Sequence, residues 1–180
     1  MLTWLLNRFA KAFAKRYDYD TGYMIETNEI GIGAGLRLAA FPLISQYRGP
    51  KPAQGVWAGA LLASTMDGDC GPCAQLCIDM ALEAGIAAHD IQLCLNGELD
   101  RAGDFGLGYR FAQASIADTP AVETLRAEVN ERYGPKAVVA CAFASATGRF
   151  YPVFKRGLGH GKVCQRLRVE GAELEIGKAA

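Results

Sequence analysis

Residues 67–77 read DGDCGPCAQLC, and what flanks that stretch decides what the chain can fold into. Cys70 and Cys73 enclose Gly-Pro as a C-x-x-C frame, and a third thiol follows at Cys77. The residues leading in, WAGALLASTMDGD, are rich in Ala and Leu and poor in β-branched side chains, which favours helix over strand. A second helix is expected to start at or just before Cys70 and run to about Ala84, with Gly85 as its stop. Cys70, Cys73 and Cys77 are spaced i, i+3 and i+7, so they share one helical face. Thiols in a first turn lie beside unpaired N–H groups and the positive end of the helix dipole, and both favour thiolate. Charged Asp67 and Asp69 oppose that effect. Pro72 suits a first turn and stiffens the link between the sulfurs. Cys70 reads as the more accessible thiol and Cys73 as the deeper one.

The rest of the chain repeats the helical theme. Leu2, Leu5, Leu6, Phe9 and Phe13 form one stripe, with Arg8, Lys11 and Lys15 opposite. This is a membrane-surface helix or, preferred here, an arm packing on its own body or on a partner subunit. RYDYDTGYMIETNE has no period and reads as an ordered loop, and the pattern turns helical from Glu29 to Tyr47. Gly49-Pro50-Lys51-Pro52 is a break, and Gln54 to Met66 reads as a buried helix. Further helical segments are expected near 87–96, 105–117, 120–133 and 136–158. Lys162 to Ile176 alternates loosely, and Gly171 could mark a small hairpin. The expected architecture is all-α: an N-terminal helical arm over residues 1–50, a helical domain over 51–158 and a short tail over 159–180.

Nineteen basic residues balance nineteen acidic ones, so no basic face argues for nucleic acid. No apolar run in the sequence approaches a membrane span. MLTWLLNRFAKAFAKR mixes charges through its apolar residues, unlike a secretory signal, so a cytoplasmic location is expected. There, a clustered pair among six cysteines points to redox chemistry or metal, not to a disulfide framework.

A thioredoxin would carry a Val/Ile/Phe strand immediately before its C-G-P-C and a later cis-proline opening a strand. Here a helix-forming segment precedes Cys70, and Pro120 opens the amphipathic pattern of Val122, Leu125, Val129 and Tyr133, so thioredoxin is set aside. Helix, polar turn, C-x-x-C at a helix start, Gly85 and another helix instead resemble the AhpD-like, or carboxymuconolactone decarboxylase, family. VWAGALLASTMDGDCGPCAQLCIDMALEAGIAAHDIQ carries the resemblance, which extends more weakly to residue 158. It implies an all-helical homo-oligomer that acts as a thiol-dependent peroxidase, its second cysteine attacking a hydroperoxide and its first closing the disulfide. It also implies reduction by a lipoyl-bearing protein or another dithiol donor. The carboxymuconolactone decarboxylase branch acts without a cysteine pair, so C-G-P-C argues against it.

In that family's full motif a Glu precedes the C-x-x-C and a His follows it, and both move protons. Here Ala58 stands at the Glu position and Cys77 at the His position, and no glutamate occurs between Glu29 and Glu83. The redox pair Cys70 and Cys73 carries over; the relay does not. Asp67, in the turn, is the better substitute carboxylate, since Asp79 points elsewhere on the helix. His160, in GLGHGK, could fold back as the missing base or be a loop residue, and His89 reads as a surface residue. Cys77 has three readings: a small core residue, a second resolving thiol, or a third metal ligand. For a metal, Cys94, His89, His160 and Cys164 could complete the set, but none has diagnostic spacing. Cys141 reads as core packing.

Two functions follow. The first is a thiol–disulfide oxidoreductase with weak alkylhydroperoxidase activity, needing no cofactor. The second is a non-catalytic helical oligomer whose cysteines are structural or bind a metal. The apolar stripe of residues 2–13 and the alanine-rich helices offer more apolar surface than one small helical domain covers, so a homo-oligomer is expected whose interface includes the N-terminal arm or the helices near the cysteines. Light scattering at micromolar concentration checks this, and a monomeric mass contradicts it.

Overall fold

The computed structural model describes residues 1–161, 166–169 and 171–175. The arm contains α1 (Leu2–Tyr17), α2 (Gly22–Ile30), α3 (Ile32–Ala40) and α4 (Pro42–Ser45). A 3-10 turn at Lys51–Ala53 leads into α5 (Gln54–Asp67), followed by α6 (Gly71–Glu83), α7 (Ala88–Leu95) and α8 (Gly103–Ala117). The chain continues through α9 (Ala121–Tyr133), α10 (Pro135–Thr147) and α11 (Phe150–Gly157). Its tail forms an antiparallel hairpin of β1 (Arg166–Val169) and β2 (Ala172–Glu175) around Gly171, at φ +84°. The fold is all-α, as the helical patterning predicts.

Helix α5 is the axis of the body. Every residue from Val56 to Thr65 is buried, so the helix is covered on all sides, by α6, α8 and α10. Its approach to α8 is close enough to require glycine. A Cβ on Gly59 would overlap the Phe105 carbonyl, and one on Gly108 would overlap the Val56 carbonyl. Alanine packs α10 onto the same core through Ala137, Ala140 and Ala144, with Cys141 among them. Among the described residues, Pro135–Gly157, which comprises α10 and α11, is long and apolar enough to cross a membrane by length and composition, a test that helices packed in a core also pass. The hairpin is tied to α6, where Gln75 exchanges two hydrogen bonds with the Arg168 backbone, at 2.7 and 3.0 Å. Leu167 and Val169 enter the core there.

A second apolar cluster lies apart from this core. It joins Tyr19, Tyr23 and Leu38 of the arm to Cys70 and Cys73, with Phe150, Tyr151 and Phe154 of α11 packed around them. Phe41 stacks on Phe150 at 3.8 Å between centroids, and Tyr23 meets Phe154 edge-on. Outside the apolar contacts, Arg16 at the end of α1 pairs with Glu83 at the end of α6, and the Tyr17 hydroxyl donates to the same carboxylate. These bonds hold the Glu83 carboxyl below its usual range, the Tyr17 bond first.

The structure corrects three local expectations. The stretch expected as an ordered loop contains α2. The Asp20 carboxylate accepts the Gly22 N–H at 2.9 Å, and Tyr23, Thr27 and Asn28 are buried, so tertiary packing holds a helix that lacks an amphipathic period. Helix expected from Glu29 to Tyr47 is divided at Gly31, which is extended, and at Pro42. The helix expected over 136–158 is divided at Gly148, where a Cβ would press on Ser64.

The α5–α8 contact makes a direct prediction. Gly108→Ala is expected to destabilise the fold by about 1–3 kcal/mol or more, because backbone and not a side-chain tip must move. Denaturant unfolding checks it, and a loss below about 0.5 kcal/mol would show that the two helices part freely.

Candidate functional site

A helix leads into the cysteines, as expected, and not a strand. After α5, Gly68 and Asp69 make the turn, and Asp69 takes the left-handed region at φ +53°. Cys70 is then the N-cap of α6, and Gly71, Pro72 and Cys73 form its first turn. Cys70 is expected to be the more accessible thiol and Cys73 the deeper one; the order is as expected, but the difference is small and both are buried. Cys70 is 6% exposed and Cys73 4%, because the arm and α11 cover both.

The five described cysteines are free thiols, and they differ sharply in character. Burial pushes Cys94 and Cys141 up to about 12, and Cys77 up to about 11. Cys70 alone is held low, to about 6. The main cause is the hydrogen bond from the Cys73 thiol; burial opposes it, and the Cys73 backbone N–H and the charges of Lys155 and Arg156 assist. The Cys73 thiol is pushed up by the same bond and by burial. Cys70 is therefore the thiolate and Cys73 the proton donor.

Behind Cys73 stand two residues that the sequence reading missed. The Tyr19 hydroxyl lies 3.4 Å from the Cys73 sulfur, and the Lys155 ammonium donates to the Tyr19 oxygen at 3.4 Å. Lys155 is 2% exposed, and its nitrogen sits over the rings of Tyr19 at 4.6 Å and Tyr23 at 5.3 Å. Among the described residues no carboxylate pairs with it. An ammonium only donates, and burial raises the Tyr19 phenol far above its usual range, so it keeps its proton. The chain of donation runs from Lys155 to Tyr19, to Cys73 and to the Cys70 sulfur. Lys155 reads as an ordinary surface cation of the basic run FKRG, and Tyr19 falls in the segment read as loop. No local signal marks either.

The other candidates are placed elsewhere. Asp67 pairs with Arg149 at 2.9 Å, and His160 pairs with Glu26 of α2. Neither is the hydrogen-bond partner of a thiol among the described residues. Cys77 is half-buried and lies 3.4 Å from the Thr65 hydroxyl. His89 is exposed, and Cys164 lies outside the described residues. Among the described residues, no group of three or more His, Cys, Asp or Glu is arranged to hold a metal ion.

Between the arm and the body lies a cavity of about 760 Å³, with Cys73 and Cys77 on its wall. No family model, curated protein or solved structure matches the chain. The AhpD-like resemblance rests on the quoted residues alone.

The electrostatics predict a pH titration. The ultraviolet absorbance of the Cys70 thiolate is expected to be present above about pH 6 and to disappear as pH falls through that value. Lys155→Met removes the nearby positive charge and moves the midpoint to higher pH. A midpoint near 8.5, the ordinary thiol value, in the wild-type protein would contradict this account.

Proposed function

We propose that the protein is a thiol–disulfide oxidoreductase whose redox pair is Cys70 and Cys73. The observation that carries this reading is the hydrogen-bonded pair itself: a lowered Cys70 thiol at a helix N-terminus beside a Cys73 thiol that can give up its proton. The Cys70 thiolate attacks one sulfur of a substrate disulfide. The S–S bond breaks, a mixed disulfide forms, and the departing thiolate takes a proton. Cys73 loses its proton to that thiolate and attacks Cys70, releasing the second substrate sulfur as thiolate and closing the Cys70–Cys73 disulfide. Two electrons pass from the protein to the substrate. A dithiol donor, of which a lipoyl-bearing protein is one kind, returns them.

A second reaction is favoured by one observation: Cys73, and not Cys70, lines the cavity. A hydroperoxide entering there meets Cys73. With its proton passed to Cys70, Cys73 attacks the terminal oxygen, the O–O bond breaks, and the alkoxide takes a proton from Tyr19, which Lys155 restores. Cys70 then displaces hydroxide from the sulfenic acid, closing the disulfide and leaving water. This route gives Tyr19 and Lys155 the proton work for which Asp67 and His160 were candidates. Exposed Leu2, Trp4, Leu5 and Phe9 on α1 support a homo-oligomer in which this face is covered.

Counting free thiols before and after mild oxidation tests the proposal. Wild type is expected to lose two thiols to an internal disulfide, recovered with a dithiol, and Cys73→Ser to form none. Unchanged thiol counts in wild type would favour the non-catalytic reading. Tyr19→Phe is expected to slow oxidation by hydroperoxide about a hundredfold, at the low end of acid–base assistance. It should leave the first attack of Cys70 on a disulfide far less affected. Equal slowing of both would sink the relay.

A further inference from the structure

We propose that the cavity between the arm and the body is a binding site for a single aliphatic chain ending in a carboxylate, of the medium- or long-chain fatty acid class. The inference concerns binding and goes beyond the redox reading. The volume, about 760 Å³, lies within the range of small-molecule sites. Its wall draws on α1, α2, α3 and α4 of the arm and on α5, α6, α10 and α11 of the body, so it is a slot between helices and not a flat face. Phe9, Phe13, Leu38 and Leu76 line it, together with Met24 and Met80, whose flexible thioethers adapt to a chain.

Shape and charge specify the occupant further. α1 lines the slot from Leu6 to Arg16, a helix length of about 15 Å at 1.5 Å per residue. That length suits an extended aliphatic chain better than a compact ring system. Arg16 is the single charged residue among the lining residues, and it stands at one end of that length. Its present partner is Glu83, in an exposed pair at 3.0 Å. Such pairs hold weakly, so a ligand carboxylate can replace Glu83 at small cost. No lining residue is acidic, so nothing along the wall repels an anionic head. Of the buried polar lining side chains besides the Tyr19 and Tyr23 phenols, Asn28 bonds Asn7 and Thr65 bonds the Leu61 carbonyl, while Ser45 of α4 adds one hydroxyl to the wall. The rest of the lining is mostly aliphatic and aromatic, as an aliphatic chain requires.

The test uses the reduced full-length protein, a fluorescent fatty acid as probe and laurate as its competitor, with no redox readout. Saturable one-to-one binding is expected, displaced by laurate and not by acetate. Ala39→Trp puts an indole into the slot from a position that the helix leaves exposed, and should weaken binding at least tenfold. Arg16→Gln should weaken laurate about threefold to tenfold and leave the matching alcohol unchanged. Circular dichroism establishes that both variants fold. The proposal is overturned by absent saturable binding, by binding that Ala39→Trp leaves intact, or by equal affinity for laurate and the alcohol. Light scattering supplies a further arm: if laurate binds only by dissociating an oligomer, the slot belongs to a second copy of the chain, and the proposal also fails. Failure of any arm leaves the thiol counts untouched, so the two readings fail separately.

Discussion

A buried ammonium without a carboxylate partner among the described residues governs the thiol region. Taking a charge out of water costs several kcal/mol unless the surroundings replace the lost hydration. Lys155 receives that replacement from the faces of Tyr19 and Tyr23, from the Tyr19 oxygen, and from negative charge on Cys70. The two tyrosines are available only when the arm is folded onto α11 and α6. The contact that stabilises the cation thus also closes the arm over the thiols, and the cation's charge helps to lower Cys70. Removing the arm would leave Lys155 beside the pair without its aromatic neighbours.

The division of labour between the two apolar clusters follows from this. The main core, built on α5, α8 and α10, uses glycine and alanine to bring backbones together. The second cluster is aromatic and contains the thiols. Large rings with hydroxyl tips suit that region because each buries much apolar area while offering one polar atom to the site. The outer end of the arm is secured by Arg16 and Tyr17 on Glu83, a pair exposed enough to exchange with solvent or ligand.

In the proposed reaction, proton flow gains direction from the same geometry. A chain of donors that starts at a fixed positive charge and ends at a sulfur polarises each bond toward the thiolate. Nucleophile and proton reservoir are then adjacent members of one hydrogen-bonded line. A glutamate and a histidine can do the same work in a C-x-x-C helix; here a phenol and an ammonium occupy that role in the reading advanced above. The chemistry is transferable because it depends on protonation states and distances, not on residue type.

The local elements were legible in the residues. Helix α5 could be read from its Ala and Leu content, the start of α6 from Pro72 and its end from Gly85, and the shared face of the three thiols from their spacing. Hairpin geometry at Gly171 was also local. What tertiary structure decided was everything that depends on segments far apart in the chain. Helix α2 has no amphipathic period because aromatic and polar contacts surround it, so no local pattern could distinguish it from a loop. Tyr19 and Lys155 meet across more than a hundred residues, and a lysine in FKRG looks like any surface cation until a fold buries it. His160 and Asp67, plausible by chemistry, pair instead with Glu26 of α2 and with Arg149, the N-cap of α11. Sequence spacing specifies neighbours along a helix, while the identity of a thiol's partner is set by which distant surfaces exclude water around it.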